Sequence, residues 1–181
     1  MKLFFASDLH GSLPAAEQVL EKYQASGADY LVILGDLLNH GPRNPVPQGY
    51  QPAAVAQLLN NYSDEILAVR GNCDSEVDQM LLNFPMLETY SWILLESGTR
   101  IFLTHGHLYN SDHRPPLKAG DVIAHGHTHI PAAEQNGAQF IFNPGSITFP
   151  KQGYTPSYGL YEEGTFKVLS FSDEILKQVS I

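Results

Sequence analysis

The stretch His125-Gly126-His127-Thr128-His129 is poor core material, because a glycine beside polar rings fills no apolar space. Two imidazoles at i and i+2 can instead face one ion from an extended segment. Asp8 and His10 repeat that spacing near the start of the chain, and Gly35-Asp36, Gly71-Asn72 and His105-Gly106-His107 lie between them. Glycine in these stretches permits tight turns and close approach of the backbone to an ion or phosphate. Carboxylate and amide oxygens mixed with imidazole nitrogens suit Mn, Zn, Fe or Ni, and the oxygens also suit Mg. Two divalent ions roughly 3.5–4 Å apart can clamp an in-line displacement at phosphorus and lower the pKa of water. Such a pair needs a shared carboxylate to offset its repulsion, and Asp36, with two oxygens to offer, is the natural bridge. Singly, each of these residues would serve as well for capping or loop hydrogen bonding. The ordered set is what points to a metal.

The elements that must position them follow from periodicity. Lys2 to Ser7 reads as a buried strand ending at Asp8. Ser12 is placed to cap a helix that carries Ala16, Val19, Leu20 and Tyr23 on one face and closes at Gly27. Tyr30 to Leu34 is a continuous apolar strand ending at Gly35-Asp36, so the opening is a right-handed β-α-β unit. Residues 39 to 52, rich in Pro and Gly, form a long loop. Ala53 to Asn60 predicts a helix, Glu65 to Val69 a strand ending at Gly71-Asn72, and Ser75 to Leu82 a further helix. The pattern then turns to hairpins, at Ser97-Gly98, at Asn136-Gly137 and at Gly164. Val122 to Ala124 is a short strand running into His125. His113 and Arg114 read as a solvated surface segment. A β/α half and a hairpin-rich half fit two sheets packed face to face with helices outside, in one domain. Ligands then gather at the carboxyl ends of strands.

Composition bounds the setting. The chain has 181 residues, 43% hydrophobic and 16% charged, which suits one globular domain with a substantial core. One cysteine, Cys73, excludes an internal disulfide and favours a reducing compartment. The first apolar run stops at Asp8, too short for a secretion signal or membrane span, so a cytoplasmic protein is expected. A net charge of −9 without clustered Lys or Arg argues against an extended nucleic-acid or membrane footprint. Bound metal, rather than side-chain cations, would then draw an anionic substrate.

Asp8-x-His10, Gly35-Asp36, Gly71-Asn72, His105 and Gly126-His127-x-His129 together resemble the calcineurin-like metallophosphoesterase signature, in order and spacing, across Lys2 to about Phe149. With Asn143-Pro144-Gly145-Ser146, the short form looks most like the small bacterial phosphodiesterase group. The resemblance implies a four-layer αββα sandwich of two mixed β-sheets with two divalent ions, usually Mn, at one end. One ion would be held by Asp8, His10, Asp36 and His129, the other by Asp36, Asn72, His105 and His127. Hydroxide held between the metals would be the nucleophile, with no covalent enzyme intermediate, and small phosphodiesters the substrates. A homo-oligomer is compatible with the resemblance, although no pattern in the chain shows an interface.

One position departs from the family pattern. A histidine that contacts phosphate and helps the leaving group commonly follows the Gly-Asn pair, and Cys73 stands there. A thiol is a weaker donor and general acid than imidazolium. Asn72 and Cys73 therefore carry the expected catalytic roles with help from His107, and Asn39, His40 and Arg43 in the long loop are the candidate substrate contacts. A phosphomonoesterase, or a metal-binding scaffold with little turnover, is the alternative reading.

Overall fold

Two mixed β-sheets lie face to face in the computed structural model, which describes residues 1–181. The first half supplies β1 (Leu3–Ala6), α1 (Leu13–Ser26), β2 (Tyr30–Ile33), α2 (Pro52–Asn60), β3 (Ile66–Ala68) and α3 (Glu76–Gln79). The second half supplies β4 (Tyr90–Leu94), β5 (Arg100–Thr104), β6 (Val122–Ala124), β7 (Ala132–Asn136) and β8 (Gln139–Asn143), then β9 (Ser157–Glu162), β10 (Thr165–Ser170) and β11 (Ile175–Ser180). One sheet runs β11-β10-β9-β1-β2-β3 and the other β4-β5-β6-β8-β7. Strands β1, β2 and β3 are mutually parallel, as are β5, β6 and β8, and the remaining pairs are antiparallel. No helix is long and apolar enough to cross a membrane.

Strand alternation sorts the core. Leu3, Phe5 and Val32 point to the space between the sheets, where they meet Ile101, Leu103, Val122 and Phe142. Phe4, Leu31 and Ile33 point the other way, onto Ala16, Val19 and Tyr23 of α1 and Val55 and Leu59 of α2. Both faces of β1 and β2 are thus covered, as their unbroken apolar runs require. Phe5 and Phe142 meet edge-on across the sheets with centroids 5.0 Å apart.

Five details differ from the sequence expectation. The outer face of the five-stranded sheet carries no helix. Phe102, Ile123 and Ile141 are instead sealed there by Tyr109 and Leu117 from the segment between β5 and β6. Arg114, expected to be solvated, pins that segment by donating to the Asn136 carbonyl at 2.9 Å and to Gln139 Oε1 at 2.8 Å. The helix expected over Ser75 to Leu82 is only α3, because Ser75 and Asp78 close a capping box but the following residues turn away. Finally, β11 pairs with β10 at the sheet edge. Its residues are mostly exposed, so no burial alternation marked it in sequence. Ser12 does stand at the start of α1, but its hydroxyl donates to the Gln48 carbonyl at 3.0 Å and ties down the long loop.

Candidate metal centre

All seven predicted ligands follow the carboxyl ends of parallel strands. Asp8 and His10 follow β1, Asp36 follows β2, Asn72 follows β3, His105 follows β5, and His127 and His129 follow β6. Five of them adopt the left-handed backbone region: Asp8 (φ 59), His10 (φ 50), Asp36 (φ 55), His127 (φ 64) and His129 (φ 61). The convergence of Asp8 with His10 and of His127 with His129 therefore comes from left-handed turns, not from the extended segments expected. Such conformations are uncommon outside glycine and persist only where surrounding structure over-determines them.

That structure is a set of hydrogen bonds between the loops. Asp8 N–H donates to the Gly35 carbonyl at 3.1 Å and His10 N–H to the Asp36 carbonyl at 2.9 Å. Gly126 N–H donates to the His105 carbonyl at 2.8 Å, joining the two loops of the other sheet. The buried Asp74 carboxylate accepts Asp36 N–H at 2.8 Å and Gly71 N–H at 2.7 Å on one oxygen, and Leu37 N–H at 2.8 Å on the other. Ser146 Oγ donates to the Asp8 carbonyl at 3.1 Å. Asn143 Nδ2 donates to the Gly126 carbonyl at 2.9 Å and to Thr128 Oγ1 at 3.0 Å.

Each carboxylate divides its oxygens. Asp8 Oδ2 accepts from Ser7 Oγ at 2.7 Å and from His127 N–H at 3.1 Å. Asp8 Oδ1 faces His129 Nε2 at 3.1 Å and His10 Nε2 at 3.7 Å. Asp36 Oδ1 accepts Cys73 N–H at 2.8 Å, while Asp36 Oδ2 faces His105 Nε2 at 3.4 Å and His10 Nε2 at 3.7 Å. A single Asp36 oxygen, rather than the two expected, is thus free to face both ligand sets.

The imidazoles are oriented by their second nitrogens. Nδ1–H of His10 donates to the Asn39 carbonyl at 3.0 Å, that of His105 to the Leu34 carbonyl at 2.6 Å, and that of His129 to the Phe149 carbonyl at 2.6 Å. Each leaves Nε2 aimed into the site. His127 presents Nδ1 instead, 3.3 Å from His105 Nε2, and Asn72 Oδ1 lies 3.2 Å from the same atom.

Electrostatics sharpen the picture. Burial raises the Asp8 carboxyl, but contact with His129 and the charge of His105 outweigh it and hold Asp8 below the usual carboxylate range. Asp36 is likewise raised by burial and lowered further by His105. Burial pulls His105 down, yet the Asp36 and Asp8 carboxylates push it up to about 9. Burial, reinforced by His105, lowers His127 to about 4, leaving a neutral ring with a free lone pair. Burial and Asp36 raise the Cys73 thiol to about 12, so it keeps its proton at neutral pH.

The cluster fits a divalent cation. Asp8 Oδ1 and His10 Nε2 are buried without any hydrogen-bond partner in the protein, a costly state for polar atoms unless something else satisfies them. Asp8, His10 and His129 form one group whose ligand atoms lie within 4.8 Å of one another, and Asp8, Asp36 and His105 form another.

The expected substrate residues separate. Arg43 lines an open cleft of about 500 Å³ together with Asp36, Asn72, Cys73, His127 and His129. Asn39 does not line it. Its carbonyl orients His10, and its side-chain oxygen accepts Gly41 N–H at 2.8 Å. His40 packs edge-on against Tyr50, with centroids 5.2 Å apart, away from the cleft. His107 packs beside His105 and His127 with its ring tilted to both, centroids 5.4 and 6.1 Å away, and does not line the cleft. Sequence reasoning missed the bracing by Ser7, Asp74 and Asn143. Asp74 carried a signal in the tight Gly71-Asn72-Cys73-Asp74 turn and Asn143 another in Asn143-Pro144-Gly145-Ser146, while Ser7 carried none. Lys151 also lines the cleft, brought there by a fold contact that no local pattern announces.

Comparison with known proteins agrees with this geometry. The model of the calcineurin-like phosphoesterase superfamily domain matches residues 1–165. Over 182 aligned residues, covering 100% of this chain and 98% of the relative, the chain is 56% identical to "Phosphodiesterase YfcE" of Escherichia coli (strain K12). It is 29% identical over 168 residues to "Probable metallophosphoesterase YsnB" of Bacillus subtilis (strain 168), covering 88% of this chain and 83% of that one. The solved structure of Yfce, a phosphoesterase from E. coli, superposes with a TM-score of 0.98 at 54% identity over 100% of both chains.

Proposed function

Because the chain belongs to the calcineurin-like phosphoesterase superfamily, we propose that it is a metal-dependent phosphodiesterase of small phosphodiesters, working with two divalent ions, manganese first among them. The observation that carries this reading is the buried, unpartnered pair Asp8 Oδ1 and His10 Nε2 within a ring of pre-oriented ligands. Asp8, His10, Asp36 and His129 would hold one ion, and Asp36, Asn72, His105 and His127 the other. When bound, the ions would offset the charge of the phosphate oxygens and lower the pKa of water toward neutrality.

The chain's own groups do the rest. The backbone carbonyls of Leu34, Asn39 and Phe149 hold three imidazoles in the tautomer that presents Nε2. Asn72 Nδ2, at 3.2 Å from Cys73 Sγ, lies at the cleft wall where it could donate to a phosphoryl oxygen. Cys73, protonated at neutral pH, can donate weakly to a leaving group but cannot act as a base. His107 supports the rings of His105 and His127 from beside them. The polar, open cleft has room for both ester arms of a diester. A free thiol suits a reducing compartment such as the cytoplasm.

The test is hydrolysis of bis(p-nitrophenyl) phosphate against p-nitrophenyl phosphate by Mn-loaded protein. Diester turnover lost in Asp36→Asn and His127→Ala is expected. Monoester turnover alone would select a phosphomonoesterase, and folded, metal-loaded protein that hydrolysed neither would leave a scaffold.

A further inference from the structure

We infer that Arg43 and Lys151 form an anion-binding subsite beside the metal centre, selecting phosphodiesters that carry a second anionic group, phosphoryl or carboxylate, on one ester arm. The inference rests on the phosphodiesterase reading and specifies its substrate class.

Both cations line the cleft that opens on Asp36, Asn72, Cys73, His127 and His129. Apart from Gly41, Pro42 and Cys73 the lining is polar or charged, so the cleft recognises an ester arm chiefly by charge and hydrogen bonds. Neither cation is in an ion pair, a state they share with Arg114, Lys118, Lys167 and Lys177, but of these six only Arg43 and Lys151 line the cleft. Leaving two positive charges unpaired at one cleft, in a chain of net charge −9, concentrates an attractive field there.

The two side chains are carried by built turns rather than loose tails. Lys151 N–H donates to the His129 carbonyl at 3.2 Å, and the Lys151 carbonyl accepts Tyr154 N–H at 3.1 Å. Arg43 sits in a turn closed by Asn44 N–H to the Gly41 carbonyl at 3.2 Å and by Asn44 Nδ2 to the His40 carbonyl at 2.9 Å. Asn39 joins that turn to the metal centre, because its carbonyl orients His10 while its side chain holds Gly41. Gly41 in turn lies so close to Cys73 that an added Cβ would sit 2.6 Å from Sγ. The missing Cβ of Gly41 thus lets the Arg43 turn close onto Cys73.

Charge accounting then favours a second anion. Asp8, Asp36 and the single negative charge of a phosphodiester would offset most of the charge of two divalent ions. An anionic ester arm supplies a partner for Arg43 and Lys151.

The experiment compares three p-nitrophenyl phosphodiesters whose second arm is ethyl, 2-carboxyethyl or 2-phosphonooxyethyl, with Mn-loaded protein. The anionic arms should raise kcat/KM about tenfold, through KM, and the ratio should shrink as salt rises. In the Arg43→Gln/Lys151→Gln double variant the ratio should fall to about one, and Lys151→Glu should invert it. A ratio near one in the native protein, or one unaffected by the double variant, overturns the subsite. Calorimetric binding of the corresponding methylphosphonate monoesters, which lack the p-nitrophenolate leaving group, gives a second readout. If none of the diesters turned over, the phosphodiesterase reading alone would fail, and tighter or equal binding of the anionic arms would still decide the subsite.

Discussion

Asp8 and Asp36 each spend one oxygen on the backbone and aim the other inward, so the same side chains build the loops and face the ion. The left-handed backbone at five ligands costs on the order of 1 kcal/mol or more apiece, a sum comparable with the net stability of a domain. At Asp36 the framework that sustains it is the Asp74 carboxylate. That carboxyl is itself raised to about 6, by burial first and by Asp36 second, against the pull of its three N–H donors. Asp74→Ala would leave three buried N–H groups unpaired, at about 1–3 kcal/mol each. Urea unfolding should therefore show a loss of several kcal/mol, with metal affinity falling alongside. Asp74→Asn, which keeps an acceptor for part of the set, should lose less.

At the scale of elements, five parallel strands stop at one end of the molecule and their loops interlock there. Gly126 shows how tightly. A Cβ on it would collide with Ser7 Oγ and lie 2.8 Å from Asp8 Oδ2, the two groups that anchor the loop after β1. Gly126→Ala should lower Mn affinity roughly 10–100-fold, the range seen when ligand-orienting groups are lost, as isothermal titration would measure. A second junction lies at the far ends of β5 and β6. Asp121 accepts Lys118 N–H at 2.8 Å and the Arg100 guanidinium, which covers Trp92 at 4.7 Å. Burial raises the Asp121 carboxyl, but Arg100 and the backbone donors lower it more, so its folded pKa falls below the ordinary 3.8. A depressed carboxylate stabilises the fold above its unfolded pKa and loses that contribution as pH falls through the folded value. Asp121→Asn should lower the Tm at pH 7 and flatten the acid limb of the stability curve below about pH 4, as thermal melts across pH 2–7 would reveal.

For the whole molecule, the ligands are contributed by both sheets. Asp8, His10, Asp36 and Asn72 follow strands of the six-stranded sheet, while His105, His127 and His129 follow strands of the five-stranded one. An ion held between them ties the two layers across the Phe5–Phe142 core. Mn²⁺ at 100 times its Kd should add about 2.7 kcal/mol, a rise in Tm of about 5–11 °C for a chain of this size. Differential scanning calorimetry with Mn²⁺ and with chelator would measure it. An unchanged Tm would argue against metal binding to the native state.

The residue types, their order and their places after apolar runs were legible in the sequence, because strand length, glycine punctuation and ligand chemistry are local properties. They sufficed for the family, for the two sheets and for naming seven side chains that the fold gathers at one end. The sequence could not tell that Asp74 would brace three backbone N–H groups, that the Asn39 carbonyl would orient the His10 ring, or that β11 would complete a sheet edge. It also could not bring Lys151 to the cleft. Those outcomes depend on contacts between segments far apart in the chain, and on an edge strand whose exposure removes the alternation that would announce it. The left-handed turns at Asp8, His10, Asp36, His127 and His129 are the clearest case. Asp and His enter that region more readily than most side chains, but the preference is weak, and hydrogen bonds between loops that tertiary packing brings together hold them in place.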